Sequence, residues 1–168
     1  MEIETIGIIG TGDMGEKYAR LYAARGHQVY CCDLPDKRTH LEERLRGVSG
    51  IKILDDGVAV SRVSDLTFYL TPVENTPEAV AQYGPSTKMG AIVSAGTSVM
   101  TPVVQAFDHY LPRDANIVNW HWLFGPGIPE EDLPKQSSAV VNHRTHDNVY
   151  QAALDTFESI KGPKLVEL

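Results

Sequence analysis

The chain has 168 residues, 42% hydrophobic and 22% charged, which suits one well-packed soluble domain and is short for two. Its 22 acidic and 15 basic residues give a net charge of −7, and the basic residues are scattered apart from Lys37-Arg38. That balance argues against nucleic-acid binding and against attraction to an anionic membrane. The opening Met1-Glu2-Ile3-Glu4 is acidic and no run of about 18 apolar residues occurs, so the expectation is a cytoplasmic protein with no leader and no membrane span.

In chain order, β-rich runs alternate with amphipathic stretches. Thr5–Ile9 reads as a strand, 13–25 as a helix and Gln28–Cys32 as a second strand. Cys31 and Cys32, the two cysteines, point to opposite faces of that strand; they cannot bridge each other and read as free thiols buried as small apolar groups. Helical patterns follow at 38–46, 56–62, 75–83, 101–110 and 146–161, with strands at 51–54, 66–70, 91–94, 116–120, 138–142 and 164–168. Near-continuous apolar runs such as Ile6-Gly7-Ile8-Ile9 and Ala91-Ile92-Val93 require burial on both faces. The pattern is that of an α/β fold, a doubly wound and mostly parallel sheet making one domain over 1–168. The longest irregular stretch, 121–136, is rich in Pro and Gly, and a loop of that size in a compact domain is usually functional.

The strongest local signal is Gly10-Thr11-Gly12-Asp13-Met14-Gly15, which follows a strand and opens a helix that closes at Gly26. Gly10 permits the tight turn, Gly12 lets the backbone approach a pyrophosphate, and Gly15 lets the helix pack against the sheet. The anion then sits on free N–H groups at the positive end of the helix. This is a Rossmann-like dinucleotide-binding arrangement. Asp33, at the end of the second strand, stands where an acid holds the adenosine ribose and by itself favours NAD. Lys37 and Arg38, just beyond, can instead clasp the 2′-phosphate of NADP, so NADP and NAD both stay open at this point. Thr71, Pro72 and Gly96, after later strands, complete the expected cofactor contacts. No histidine pair has metal-ligand spacing with matching carboxylates or cysteines, and no metal is expected.

From these residues onward the chain resembles the N-terminal cofactor domain of prephenate dehydrogenases of the fungal, NADP-dependent type. The match rests on Ile6-Gly7-Ile8-Ile9-Gly10-Thr11-Gly12-Asp13-Met14-Gly15, Cys31-Cys32-Asp33, Tyr83-Gly84-Pro85-Ser86, Gly96-Thr97-Ser98, Tyr110-Leu111-Pro112 and Val141-Asn142-His143-Arg144. The family's histidine followed by Gly-Pro appears as His121-Trp122-Leu123-Phe124-Gly125-Pro126. The resemblance implies that His121 is the base that receives a hydrogen bond from the substrate's ring hydroxyl during hydride transfer, with Ser98 supporting it. It also implies a small cyclic carboxylic acid as substrate. Independently, His121 and Ser98 each follow a strand on the edge where doubly wound sheets bind ligands. Trp120 and Trp122 are expected to lie on different faces. That family carries a second, helical domain with basic groups for substrate carboxylates, whereas 164–168 here reads as the last strand of the cofactor domain. Arg113, Lys135 and Arg144 are the remaining candidates for those carboxylates, and a homodimer is expected to cover the face left open. Two other functions fit the same residues: a non-redox isomerase, cyclase or lyase using His121 for proton transfer, and a regulatory protein that binds the dinucleotide without chemistry.

Overall fold

The computed structural model describes all 168 residues. One eight-stranded sheet holds β1 (Thr5–Ile9), β2 (Gln28–Cys32), β3 (Ile51–Ile53), β4 (Leu66–Tyr69), β5 (Ile92–Ala95), β6 (Asn116–Trp122), β7 (Ser137–Arg144) and β8 (Lys164–Glu167), in the order β3-β2-β1-β4-β5-β6-β7-β8. The order reverses between β1 and β4, which makes their carboxyl ends the switch point at which doubly wound sheets bind ligands. Six helices cover the two faces: α1 (Asp13–Ala24), α2 (Arg38–Arg44), α3 (Gly57–Val63), α4 (Thr76–Tyr83), α5 (Thr101–Tyr110) and α6 (Asp147–Ser159). The fold is Rossmann-like, as the sequence pattern implies.

The strands β3 to β6 run parallel, but β7 is antiparallel to β6 and β8 is parallel to β7. A parallel return would need a crossover over a face of the sheet, usually by a helix. Segment 123–136 offers only a short 3-10 stretch, Glu130–Lys135, and so returns on the edge it left. The pairing of His121 with Ala139 and of Trp122 with Ser138 also carries β6 two residues past its expected end, so His121 lies inside a strand rather than after one.

The sheet separates two apolar layers. On one face Tyr18 and Tyr22 of α1, Leu41 of α2 and Phe157 of α6 pack on Ile6, Ile8, Phe68, Val118 and Trp120. Trp120 stacks on Phe157 at 4.5 Å between ring centroids, and Tyr18 meets Phe68 edge-on at 5.1 Å. On the other face Val60 of α3, Val80 of α4 and Phe107 of α5 pack on Ile9, Tyr69, Val93 and Ile117. Trp122 joins the same layer as Trp120, 5.5 Å from it, which corrects the expectation of opposite faces: residues two apart on a strand point the same way.

Cys31 and Cys32 fall in different layers, both buried as free thiols. Burial pushes each thiol up from 9.0 to about 12. Between those values an unfolded chain has released thiol protons that the folded chain retains, so this contribution to stability falls as pH rises through the window. At pH 9 the folded protein is therefore expected to resist alkylation by iodoacetamide, with both thiols reacting promptly once urea is added. Rapid modification without denaturant would contradict the burial of the two thiols.

Candidate active site

Three glycines shape the turn between β1 and α1. Gly10 has φ +89°, a left-handed conformation, and a side chain there would meet the Thr71 amide nitrogen at 2.8 Å. A Cβ on Gly15 would sit 2.3 Å from the Gly10 carbonyl oxygen, so only a bare α-carbon lets α1 start this close to β1. At Gly12 nothing lies within 4 Å of an added Cβ; the space over the turn is open to an approaching group. The first helical bond is donated by the Glu16 N–H to the Gly12 carbonyl (2.8 Å), and the N–H groups of residues 12–15 make no bond inside the protein. They form an unclaimed row of donors at the positive end of α1.

The surroundings adjust the charge of that row. Asp13 and Glu16 place carboxylates in the first turn of α1, where they would oppose a second anion. Arg44 of α2 pairs with both, at 3.1 and 2.5 Å, and Arg20 pairs with Glu16 at 2.9 Å. Of the other expected cofactor residues, Thr11 is buried, its hydroxyl donating to the Cys32 carbonyl (2.9 Å), and Met14 packs against the core. Thr71 lies against Gly10 and shares a hydroxyl hydrogen bond with Thr76 (2.8 Å), while Pro72 is exposed and its carbonyl starts the turn into α4. Asp33 stands beside the turn at the end of β2. Lys37 is exposed with no ion pair, whereas Arg38 is held by Glu42 (2.9 Å) and Asp55 (3.0 Å).

Strands β5 and β6 part company above Val93 and Ile117, where their backbone pairing ends. Side chains bridge the gap. The Trp120 N–H donates to Ser94 Oγ (3.0 Å), the Ala95 N–H donates to Asn119 Oδ1 (3.3 Å), and His121 Nδ1 lies 2.9 Å from the Gly96 carbonyl oxygen. A carbonyl oxygen only accepts, so the contact requires a proton on Nδ1 and leaves Nε2 as the ring atom able to offer a lone pair. Ser94 and Asn119 are fully buried, and sequence reasoning missed them; the available signal was a polar residue in each of two apolar strands. The structure thus joins His121 to Gly96, but Ser98 is exposed and makes no hydrogen bond to His121.

A second residue missed in the sequence closes the other side. Lys17, in the second turn of α1, donates to the carbonyls of Pro126 (2.8 Å) and Ile128, tying segment 123–136 to the helix that carries the turn. Of the three cations considered for substrate carboxylates, Arg144 pairs in register with Ile117 and bonds the carbonyls of Ala115 (3.3 Å) and Pro112 (3.2 Å), at the edge opposite His121. Arg113 precedes β6 at that same far edge. The antiparallel course of β7 is what removes Arg144. Lys135 remains on the near side, paired with Asp132 at 2.6 Å.

Comparison with known proteins adds to this geometry. The family described as NADP oxidoreductase, coenzyme F420-dependent, matches residues 5–97. A Schizosaccharomyces pombe protein named probable prephenate dehydrogenase (NADP+) is 36% identical over 93% of the chain and 35% of its own length. The Saccharomyces cerevisiae prephenate dehydrogenase (NADP+) is 39% identical over 84% of the chain and 30% of its length. The chain therefore spans about a third of the curated relatives it matches. The solved prephenate dehydrogenase of A. aeolicus, in complex with hydroxyphenyl propionate and NAD+, superposes with a TM-score of 0.76 at 16% identity, over all of this chain and 60% of that one, a likeness of fold.

Because Asn119 bridges the parted strands, Asn119→Val keeps a strand-forming side chain of similar size but orphans the buried Ala95 N–H. The expected cost is about 1–3 kcal/mol in chemical denaturation, with faster hydrogen exchange at Ala95. Unchanged exchange there would remove Asn119 from the bridge.

Proposed function

The chain belongs to the NADP oxidoreductase, coenzyme F420-dependent, family, and on that premise we propose that it is the NADP-binding part of an oxidoreductase resembling prephenate dehydrogenase, acting on a small cyclic hydroxy acid. The observation that carries the reading is the turn at 10–15: open space over Gly12, unclaimed N–H groups at residues 12–15, and Arg44 offsetting the nearby carboxylates. A dinucleotide pyrophosphate fits this cradle, since it needs backbone donors and a close approach more than side-chain charge. When bound, such a cofactor supplies a hydride acceptor.

The chain's own residues then have separable tasks. Gly10, Gly12 and Gly15 shape the cradle, and residues 12–15 donate to the pyrophosphate. Lys37 is the free cation for the 2′-phosphate that distinguishes NADP from NAD, because Arg38 is already engaged by two carboxylates. His121, with Nδ1–H held on the Gly96 carbonyl, offers Nε2 to a substrate hydroxyl and takes its proton as the hydride leaves. Ser98, exposed near the end of β5, is free to bond the substrate directly. Exposed Val99 and Leu123 give this edge apolar surface for a substrate ring.

Two measurements test the assignment. Calorimetric titration is expected to show NADP+ binding, weakened about tenfold or more in Lys37→Ala while NAD+ binding stays the same, the size expected for losing a charge-assisted bond. Absence of binding to either dinucleotide would remove the reading altogether. Absorbance of the reduced nicotinamide, followed with prephenate, arogenate and related cyclic acids, is expected to give turnover that falls about 100- to 10,000-fold in His121→Ala with unchanged NADP+ affinity. Undiminished turnover in that variant would take the base role from His121.

A further inference from the structure

The acid at the end of β2 is where a ribose clasp is expected, yet the structure gives its oxygens other partners. Asp33 Oδ2 accepts the Thr11 N–H at 3.1 Å, and Oδ1 accepts the Leu34 N–H at 2.8 Å. The same corner is fastened twice more: the Gly10 N–H (3.1 Å) and the Thr11 hydroxyl (2.9 Å) both donate to the Cys32 carbonyl. Residues 10 and 11 are thus pinned to the end of β2 from both sides of the peptide, while residues 12–15 keep their N–H groups free. A carboxyl group bonded through each oxygen to a backbone N–H is held in one orientation against the turn. The bond to Thr11 also fixes which amide is excluded from the donor row, and so where that row begins.

We infer that Asp33 is a positioning residue that latches the phosphate-binding turn to β2, and that it does not select between NAD and NADP. The inference rests on the dinucleotide reading above for its consequence, though the latch itself is a property of the free protein. It accounts for an acid at this position in a chain whose nearby Lys37 is free to meet a 2′-phosphate: bonded through both oxygens to the Thr11 and Leu34 N–H groups, the carboxylate has a task in the turn that needs no ribose contact to explain it. Loss of the latch loosens the seat of the pyrophosphate, which the two dinucleotides share, and so weakens both alike.

The experiment compares Asp33→Ala and Asp33→Asn with the unaltered chain in two ways. Hydrogen exchange without any dinucleotide reads the latch: in Asp33→Ala the Thr11 and Leu34 amides are expected to exchange at least about tenfold faster, while Gly10, bonded to Cys32, stays slow. Calorimetry reads the consequence: affinity for NAD+ and for NADP+ is expected to fall by the same factor, about tenfold, leaving their ratio within about threefold. Asp33→Asn, which keeps one neutral acceptor and the side-chain shape, is expected to lose less of both and keep the ratio; it carries the test if the alanine variant does not fold. A ratio that moves about tenfold or more toward NADP+ in Asp33→Asn, or Thr11 exchange unchanged in both variants, overturns the inference. If the unaltered chain binds neither dinucleotide, the proposed function fails while the exchange measurement still decides the latch.

Discussion

The contact on which the site depends is the one between Gly15 and the carbonyl of Gly10, where a methyl group would stand 2.3 Å from oxygen. Because that contact is possible, α1 begins directly off the end of β1, and its first N–H groups face outward over the sheet edge. A helix displaced by even a methyl radius would lift Tyr18 and Tyr22 from Phe68, and the layer that includes Trp120 and Phe157 would lose its fit. The packing of α1 on the sheet and the free N–H row at its start are therefore one constraint seen from two parts of the same helix. The same economy of space recurs below the turn, where a Cβ on Gly7 would meet Ser64 Oγ at 2.5 Å, so β1 is narrow along its length.

The second organising feature is the opening between β5 and β6. Parallel strands normally stay joined through backbone bonds, and separating them would strand buried N–H and carbonyl groups. Here Ser94, Asn119 and His121 take over as partners, so the gap costs little in unmet polar groups and the histidine is oriented by the same device that keeps the strands apart. The imidazole is thus part of the sheet's bonding, which holds it more firmly than a loop would.

Much of this was legible in the sequence. Gly10, Gly12 and Gly15 announce their roles because backbone sterics leave few alternatives, and the apolar runs of β1, β4 and β5 fix the layering because both faces must be covered. The direction of β7 was not legible: it depends on whether 123–136 crosses the sheet or turns back, and nothing local in Ser137–Arg144 encodes that choice. This one ambiguity misplaced Arg144 as a possible substrate contact. Nor could the partners of Asp33 be read, because the residues that claim its oxygens lie in a turn whose geometry the sequence supplies but whose distance from β2 it does not. Lys17 escaped notice for a similar reason, since its partners are backbone carbonyls more than 100 residues away.

The seat of the turn has a further consequence for how the chain comes together. Gly10 rests against Leu70 and Thr71, and β1 pairs with β4 through Ile6–Leu66 to Ile9–Tyr69, contacts some 60 residues apart in sequence. The first βαβ unit alone can bury only one flank of β1, so the glycine turn acquires its final shape only after the chain through α3 has been made and β4 has docked. Non-local parallel pairing of this kind is slow to form. A nascent chain halted before β4 exposes Ile6, Ile8 and Ile9 along an unpaired edge, and that interval is when it most needs protection from other chains.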